Sequence, residues 1–176
     1  MADFNKILEP GDYQNNKVNV VIEIPTGSNH KIEWDRENAC FMLDRIEPIA
    51  FAKPCNYGFI PQTLDEDGDE LDVLMITDQP LTTGIWMKAR VLGVMKFVDD
   101  GEVDDKIICV PEDDRNNGDH YQMLEDLPER LIEQIEFHFN HYKDLKKPGT
   151  TKVIEFAGVG AAKEVIEAAI ARWKDR

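Results

Sequence analysis

The stretch Asp65-Glu66-Asp67-Gly68-Asp69-Glu70-Leu71-Asp72-Val73-Leu74-Met75-Ile76 sets three aspartates, Asp67, Asp69 and Asp72, against an apolar run. The apolar half reads as a buried strand. If that strand extended back through the acidic half, Asp67 and Asp69 would share one face and Asp72 would point the other way. The three converge only if Gly68 and its neighbours turn and Asp72 opens the strand. Glycine accepts the backbone angles such a turn needs. Crowded carboxylates repel unless cations neutralise them. Oxygen-only donors select hard divalent cations such as magnesium, manganese or calcium. A solvated acidic turn is the plain alternative. An EF-hand loop is the sharper one, but it fails: counted from Asp65, position 6 is Glu70 instead of glycine and position 12 is Ile76 instead of glutamate.

The same device recurs. Asp99-Asp100-Gly101-Glu102-Val103-Asp104-Asp105-Lys106 runs into Ile107-Ile108-Cys109-Val110 and stops at Pro111. Two acidic turns from separate strands can meet at one end of a sheet or barrel, with oxygens enough for more than one metal. Lys106 follows the second cluster and offsets its charge.

Upstream, Val18 to Ile24 is rich in β-branched residues and ends at Pro25, which predicts a strand. Glu23 interrupts it. Its two readings, an edge position facing water or a site carboxylate, carry equal weight. Residues 1–16 read as an irregular lead-in with turn chemistry at Pro10-Gly11-Asp12. Lys31-Ile32-Glu33-Trp34-Asp35 alternates, so Lys31 and Glu33 share a face. A hairpin connection at Arg36-Glu37-Asn38 leads to Cys40-Phe41-Met42-Leu43, closed by Asp44-Arg45. Arginine binds phosphate oxygens bidentately, so Arg45 near Lys31 suggests an anion site. Lys53 to Pro61 reads as a shaped loop with one short strand. Tyr57 in it either packs with a satisfied hydroxyl or offers that hydroxyl to a ligand.

Ile85 to Phe97 is a long β segment bent at Gly93. Residues 112–126 are polar and read as a surface connection. Leu127 to Tyr142 has helical apolar spacing with Pro128 in the first turn. His138 and His141 share a face there, but the spacing is not the metal-binding H-E-x-x-H pattern. Lys143 sits at the helix end, where a cation suits the dipole. Thr151 to Phe156 reads as a last strand and Ala161 to Trp173 as a last helix. About seven strands followed by two helices indicate an α+β fold, mainly β, in one domain over residues 1–176.

Composition narrows the function classes. The 176-residue chain is 42% hydrophobic and 31% charged, with a net charge of −15. That balance argues against a duplex nucleic-acid binder, which needs a basic footprint. It allows a small polyanion if bound divalent cations invert the local charge. Three widely spaced cysteines, Cys40, Cys55 and Cys109, fit reduced thiols and a cytoplasmic location. Met1 to Gln14 lacks the marks of a signal peptide, and no run is long enough for a membrane span.

The string Asp67-Gly68-Asp69-Glu70-Leu71-Asp72-Val73 resembles the signature of the family I soluble inorganic pyrophosphatases of bacterial type. So do Val21-Ile22-Glu23-Ile24-Pro25, the Lys31 and Glu33 pair, Leu43-Asp44-Arg45, Pro54-Cys55-Asn56-Tyr57-Gly58, the segment from Asp99 to Lys106, and His141-Tyr142-Lys143-Asp144-Leu145. The blocks run in family order across about residues 15 to 147.

The resemblance implies a five-stranded OB-like barrel with extra strands and two C-terminal helices. It implies hydrolysis of pyrophosphate to two phosphates with several magnesium ions per site, manganese or zinc being substitutes. Asp67, Asp72 and Asp104 would ligate one metal, Asp72 bridging to a second. Asp99 and Asp104 would ligate a metal carried by the substrate, and Glu33 and Glu23 would hold metal-bound waters or the rim of the site. Asp69 would orient or deprotonate the attacking water. Lys31, Arg45, Tyr57, Lys106, Tyr142 and Lys143 would bind phosphate. A homo-oligomer follows from the same resemblance, a hexamer being favoured, with pyrophosphate and phosphate as the only partners.

Three positions depart from the family pattern. Lys53 stands where bacterial members usually carry a tyrosine near the site, and either adds a cation that tightens phosphate or is merely a surface residue. Glu70 replaces a common proline, which predicts a less rigid turn. Phe156-Ala157-Gly158 replaces the usual Gly-Trp under the last helix. Two other readings remain to be weighed: a phosphohydrolase for another small phosphorylated substrate such as a nucleotide, for which no phosphate-cradling loop is present, and a non-catalytic OB-fold binding module, which the acidic charge opposes.

Overall fold

A computed structural model describes residues 3–176. Met1 and Ala2, the start of the polar N-terminal segment, lie outside the described residues. In chain order the elements are α1 (Phe4–Ile7), β1 (Lys17–Ile24), β2 (His30–Asp35), β3 (Cys40–Ile46), β4 (Asn56–Phe59), β5 (Asp72–Met75), β6 (Trp86–Asp99), β7 (Glu102–Val103), β8 (Lys106–Pro111), α2 (Glu129–His141), β9 (Thr151–Gly158) and α3 (Val159–Asp175).

Five strands close on themselves in the order β1, β4, β5, β8, β6 and back to β1. This is the expected five-stranded barrel. Every seam is antiparallel except β5 against β8, which is parallel and pairs Val73 with Ile107. Closure leaves no free edge among these five, so their backbone groups are paired within the ring. β6 is long enough to serve several neighbours. Beyond the ring it pairs with β7 and β9, while β2 and β3 form a separate hairpin. The expected bend at Gly93 is a register shift in the β6–β8 pairing. A methyl group on Gly93 would come within 2.4 Å of the Ala157 carbonyl oxygen, so the close approach of β9 requires glycine there.

Period two along the strands builds two apolar clusters. Val73, Met75, Ile107 and Cys109 pack with Ala162, Ile166 and Ala169 of α3. The alternate residues, Leu74, Ile76, Ile108 and Val110, pack with Ile135 and Phe139 of α2. Counting back by twos along the second set reaches Asp72 on β5 and Lys106 on β8. The site therefore begins where the α2-facing stripe of the barrel turns from apolar to charged.

Several local readings change. The lead-in is not wholly irregular. Asp3 caps a single helical turn by accepting from the Asn5 amide at 3.1 Å, and Phe4 is buried against Trp34, Phe41 and Phe59. Four residues are too few to show helical periodicity. Glu23 does not face water: it lies at an irregularity in the β1–β4 pairing, and its side chain is buried against the backbone of β2 at Trp34. The changed Phe156-Ala157-Gly158 segment continues β9 to its pairing with Gly93, and α3 follows directly. Ala162, Ile166, Ala169 and Ile170 of α3 are buried, so its packing does not suffer. All three cysteines are free. No helix among the described residues is long and apolar enough to cross a membrane.

Candidate active site

The acidic turn forms as its sequence requires. Gly68 has φ +95°, in the left-handed region that glycine tolerates. The Asp65 amide donates to the Asp69 carbonyl at 2.7 Å, and the Gly68 amide donates to the Asp65 carbonyl at 3.2 Å. Asp67 accepts from the Asp69 amide at 3.0 Å, an Asx turn that holds the loop open. Asp72 is the first residue of β5.

Across the parallel seam, Lys106 opens β8 beside Asp72. Its ammonium donates to Asp72 at 2.6 Å and also to Asp104. Lys106 is 2% exposed, so its positive charge is retained only because these two carboxylates outweigh the cost of burial and hold its pKa up. Burial likewise holds the Asp104 carboxyl up at about 6, with Lys106 pulling against it. The Tyr57 hydroxyl donates to the same Asp72 carboxylate, and burial raises the tyrosine pKa well above its usual value. On the far wall, Asp99 at the end of β6 accepts from the Tyr142 hydroxyl at 2.8 Å and from Lys143 at 2.5 Å. Lys31 meets Glu33 at 2.8 Å on β2. Arg45 on β3 is held between Asp44 and Glu47. Glu23 accepts from the Trp34 amide at 2.7 Å; burial pushes its carboxyl up to about 8, and Asp72 adds to the rise.

These groups line one cavity of about 260 Å³. Every residue given a role above is there: Glu23, Lys31, Glu33, Arg45, Tyr57, Asp67, Asp69, Asp72, Asp99, Asp104, Lys106, Tyr142 and Lys143. Trp34, Lys53, Phe59, Glu70 and Phe139 complete the lining. Asp65 and Asp105, from the same two acidic turns, are not part of it. Asp105 is buried against Lys96 at 2.7 Å, and Asp65 is buried near Arg172 at 3.4 Å. His138 and His141 are also elsewhere, His141 pairing with Asp144 at 2.7 Å.

Two residues were under-read from sequence. Glu70 does not loosen the turn. It is buried, accepts from Arg36 at 2.8 and 3.0 Å, and accepts from the Asn5 side chain at 2.6 Å. Lys53 is not a surface residue, since it is half-buried in the cavity against aromatic rings. A buried-pair signal for Glu70 would have required knowing that Asn5 and Arg36 come close, which no local pattern encodes.

A family model described as inorganic pyrophosphatase matches residues 20–174. The chain belongs to the inorganic pyrophosphatase family. An inorganic pyrophosphatase from Neisseria meningitidis serogroup B is 70% identical over 173 residues, 98% of each chain. One from Haemophilus influenzae is 68% identical over 176 residues, 100% of each chain. The crystal structure of an inorganic pyrophosphatase from Neisseria gonorrhoeae superposes with a TM-score of 0.97 at 70% identity, covering 98% of this chain and 99% of that one. The cavity is thus carried on the family's own barrel, and residues of both acidic turns and of the hairpin β2–β3 line it.

Proposed function

We propose that this protein hydrolyses inorganic pyrophosphate to two orthophosphates in a divalent-metal-dependent reaction, as one catalytic domain. The observation that carries this reading is the convergence of both acidic turns and five basic side chains on a single cavity.

The donor set tests whether divalent cations fit. Eight carboxylates and five basic side chains line the cavity, so on its own it would repel a polyanion. Asp67 and Asp69 have no basic side chain within salt-bridge distance among the described residues. No three acidic, histidine or cysteine side chains among the described residues are already gathered into a metal-holding group; Asp72, Asp99 and Asp104 are instead engaged with lysines and tyrosines. All the donors are hard oxygens, which suits magnesium, with manganese or zinc as substitutes. Asp67, Asp72, Asp99 and Asp104 would hold the ions, with Glu33 and Glu23 at the rim. Bound magnesium would offset the substrate's charge and lower the pKa of water.

The chain's own groups do the rest. Asp69 accepts the proton of the attacking water. Burial, with Asp67 and Glu70 nearby, raises its carboxyl above the usual aspartate value and makes it a better acceptor. Lys31, Arg45, Tyr57, Lys106, Tyr142 and Lys143 bind the two phosphates, and Lys31 and Arg45 stabilise the charge that builds on the departing one.

A homo-oligomer, a hexamer being favoured, and a cytoplasmic location complete the proposal. Phosphate release is to be measured from pyrophosphate, ATP and an aryl phosphate, with magnesium and with chelator. Magnesium-dependent turnover of pyrophosphate far above the other two is the expected result. Its absence would overturn the reading, and a preference for ATP would favour a nucleotide phosphohydrolase.

A further inference from the structure

One cation in the cavity has no role in the scheme above. Lys53 lies after a single 3-10 turn, Ile49–Phe51, and before Pro54. Its backbone is pinned on both sides: its amide donates to the Ser28 carbonyl at 2.9 Å, and its carbonyl accepts from the Gly27 amide at 2.9 Å. The side chain is thereby aimed inward. Its ammonium nitrogen stands 4.8 Å from the Tyr57 ring centre, 5.3 Å from that of Tyr142 and 5.4 Å from that of Phe139.

The other basic side chains of the cavity are already engaged. Lys31 has Glu33, Arg45 has Asp44 and Glu47, Lys106 has Asp72 and Asp104, and Lys143 has Asp99. Among the described residues, the Lys53 ammonium is within hydrogen-bond or salt-bridge reach of no carboxylate. Three ring faces favour a positive charge there but accept none of its N–H groups in a full hydrogen bond. So this cavity contains one preorganised ammonium with three donors to spend. Lys31, Arg45, Tyr142 and Lys53 also line a small adjoining cleft, which places Lys53 at the cationic end of the cavity. Burial, reinforced by Lys31 and Lys106, pulls the Lys53 pKa down to about 7, while Asp72 resists. An incoming phosphate dianion supplies the negative charge that this environment lacks.

We infer that Lys53 is a substrate-contacting residue, donating hydrogen bonds to the oxygens of the phosphate group bound at the end of the cavity formed by Lys31, Arg45 and Tyr142. Its contribution is to affinity for a free terminal phosphate, in the substrate and in the product. This deepens the proposed pyrophosphatase reading and rests on it.

The test compares wild type with Lys53→Met and Lys53→Arg. It reads kcat and KM for pyrophosphate with magnesium, and the Kd of inorganic phosphate by calorimetry. A charge-assisted contact of ordinary strength predicts that Lys53→Met raises both KM and the phosphate Kd by roughly tenfold or more. It should change kcat less, and Lys53→Arg should restore most of the affinity. A lysine that only packs against rings would leave phosphate affinity alone. A folded Lys53→Met with KM and phosphate Kd within about twofold of wild type overturns the inference. If that variant does not fold, side-chain NMR of lysine-labelled wild-type protein decides: phosphate must shift the Lys53 Cε resonance, and no shift overturns the inference. A wild type without pyrophosphate turnover is a different failure and strikes the proposed function instead.

Discussion

Lys106 reaches Asp72 across the one parallel seam of the barrel, with 2.6 Å between ammonium and carboxylate. The two residues open neighbouring strands that run the same way, so their side chains leave the same end of the sheet side by side. Parallel pairing brings together the two acidic turns, which are more than thirty positions apart in sequence.

Removing that lysine exposes how the charges are balanced. Lys106→Met leaves Asp72 and Asp104 without their cation in a place where water is scarce. The chelator-treated variant should lose about 3 kcal/mol of unfolding free energy. Urea unfolding measures it, and a loss below about 1 kcal/mol would mean that solvent already screens this pair.

Asp69 makes no hydrogen bond through its carboxylate among the described residues, and Asn has almost the same shape. Asp69→Asn should therefore keep the fold and bind magnesium as wild type does. Turnover should drop by roughly 100-fold or more, the usual contribution of a positioned base. Initial rates beside a magnesium titration separate the two effects. A rate near wild type would remove Asp69 from its role.

Glu23 predicts a pH dependence of stability. Its carboxyl titrates near 8 in the folded protein against 4.5 in an unfolded chain. Between those values the folded state keeps a proton that the unfolded state has released. Stability therefore falls as pH rises through this window and levels off above about 8. Glu23→Gln retains an acceptor for the Trp34 amide and removes the titration. The decline in Tm across the window, recorded in chelator, should be shallower in the variant. Parallel curves for the two proteins would contradict the assignment.

Gly68 has open space around it, so a methyl group there meets nothing. Its positive φ is the difficulty. Gly68→Ala should cost about 1 kcal/mol in stability. Turnover should fall far more, toward 100-fold, because small displacements of Asp67 and Asp69 are costly in an oriented site. Denaturation and rate measurements on one preparation compare the two losses.

The site was more legible in sequence than the contacts that hold it. Gly68 and Asp72 declare a turn and a strand start by local chemistry, and the structure has both. The Val18 to Ile24 strand and the bend at Gly93 were equally local. Glu23 was ambiguous because its burial depends on the β2 backbone that meets it at Trp34, a contact that residues 18–24 do not encode. The same holds for Glu70, whose partners Arg36 and Asn5 lie 34 and 65 positions away. Phe4 was missed for a different reason: one helical turn has no period to detect. Lys53 could be flagged as unusual, but only the three rings around it show that it faces inward.

The mooring of Glu70 has one more consequence. Arg36, which grips Glu70, also lies over the Trp173 ring at 5.6 Å, near the end of α3, while Asn5 belongs to α1. Both extremities of the chain are thus guy-lines for the loop that carries Asp67 and Asp69. Gentle heating or a protease that frays either extremity should silence the enzyme while the barrel is still intact. Loss of activity would then be an early warning of damage, well ahead of melting.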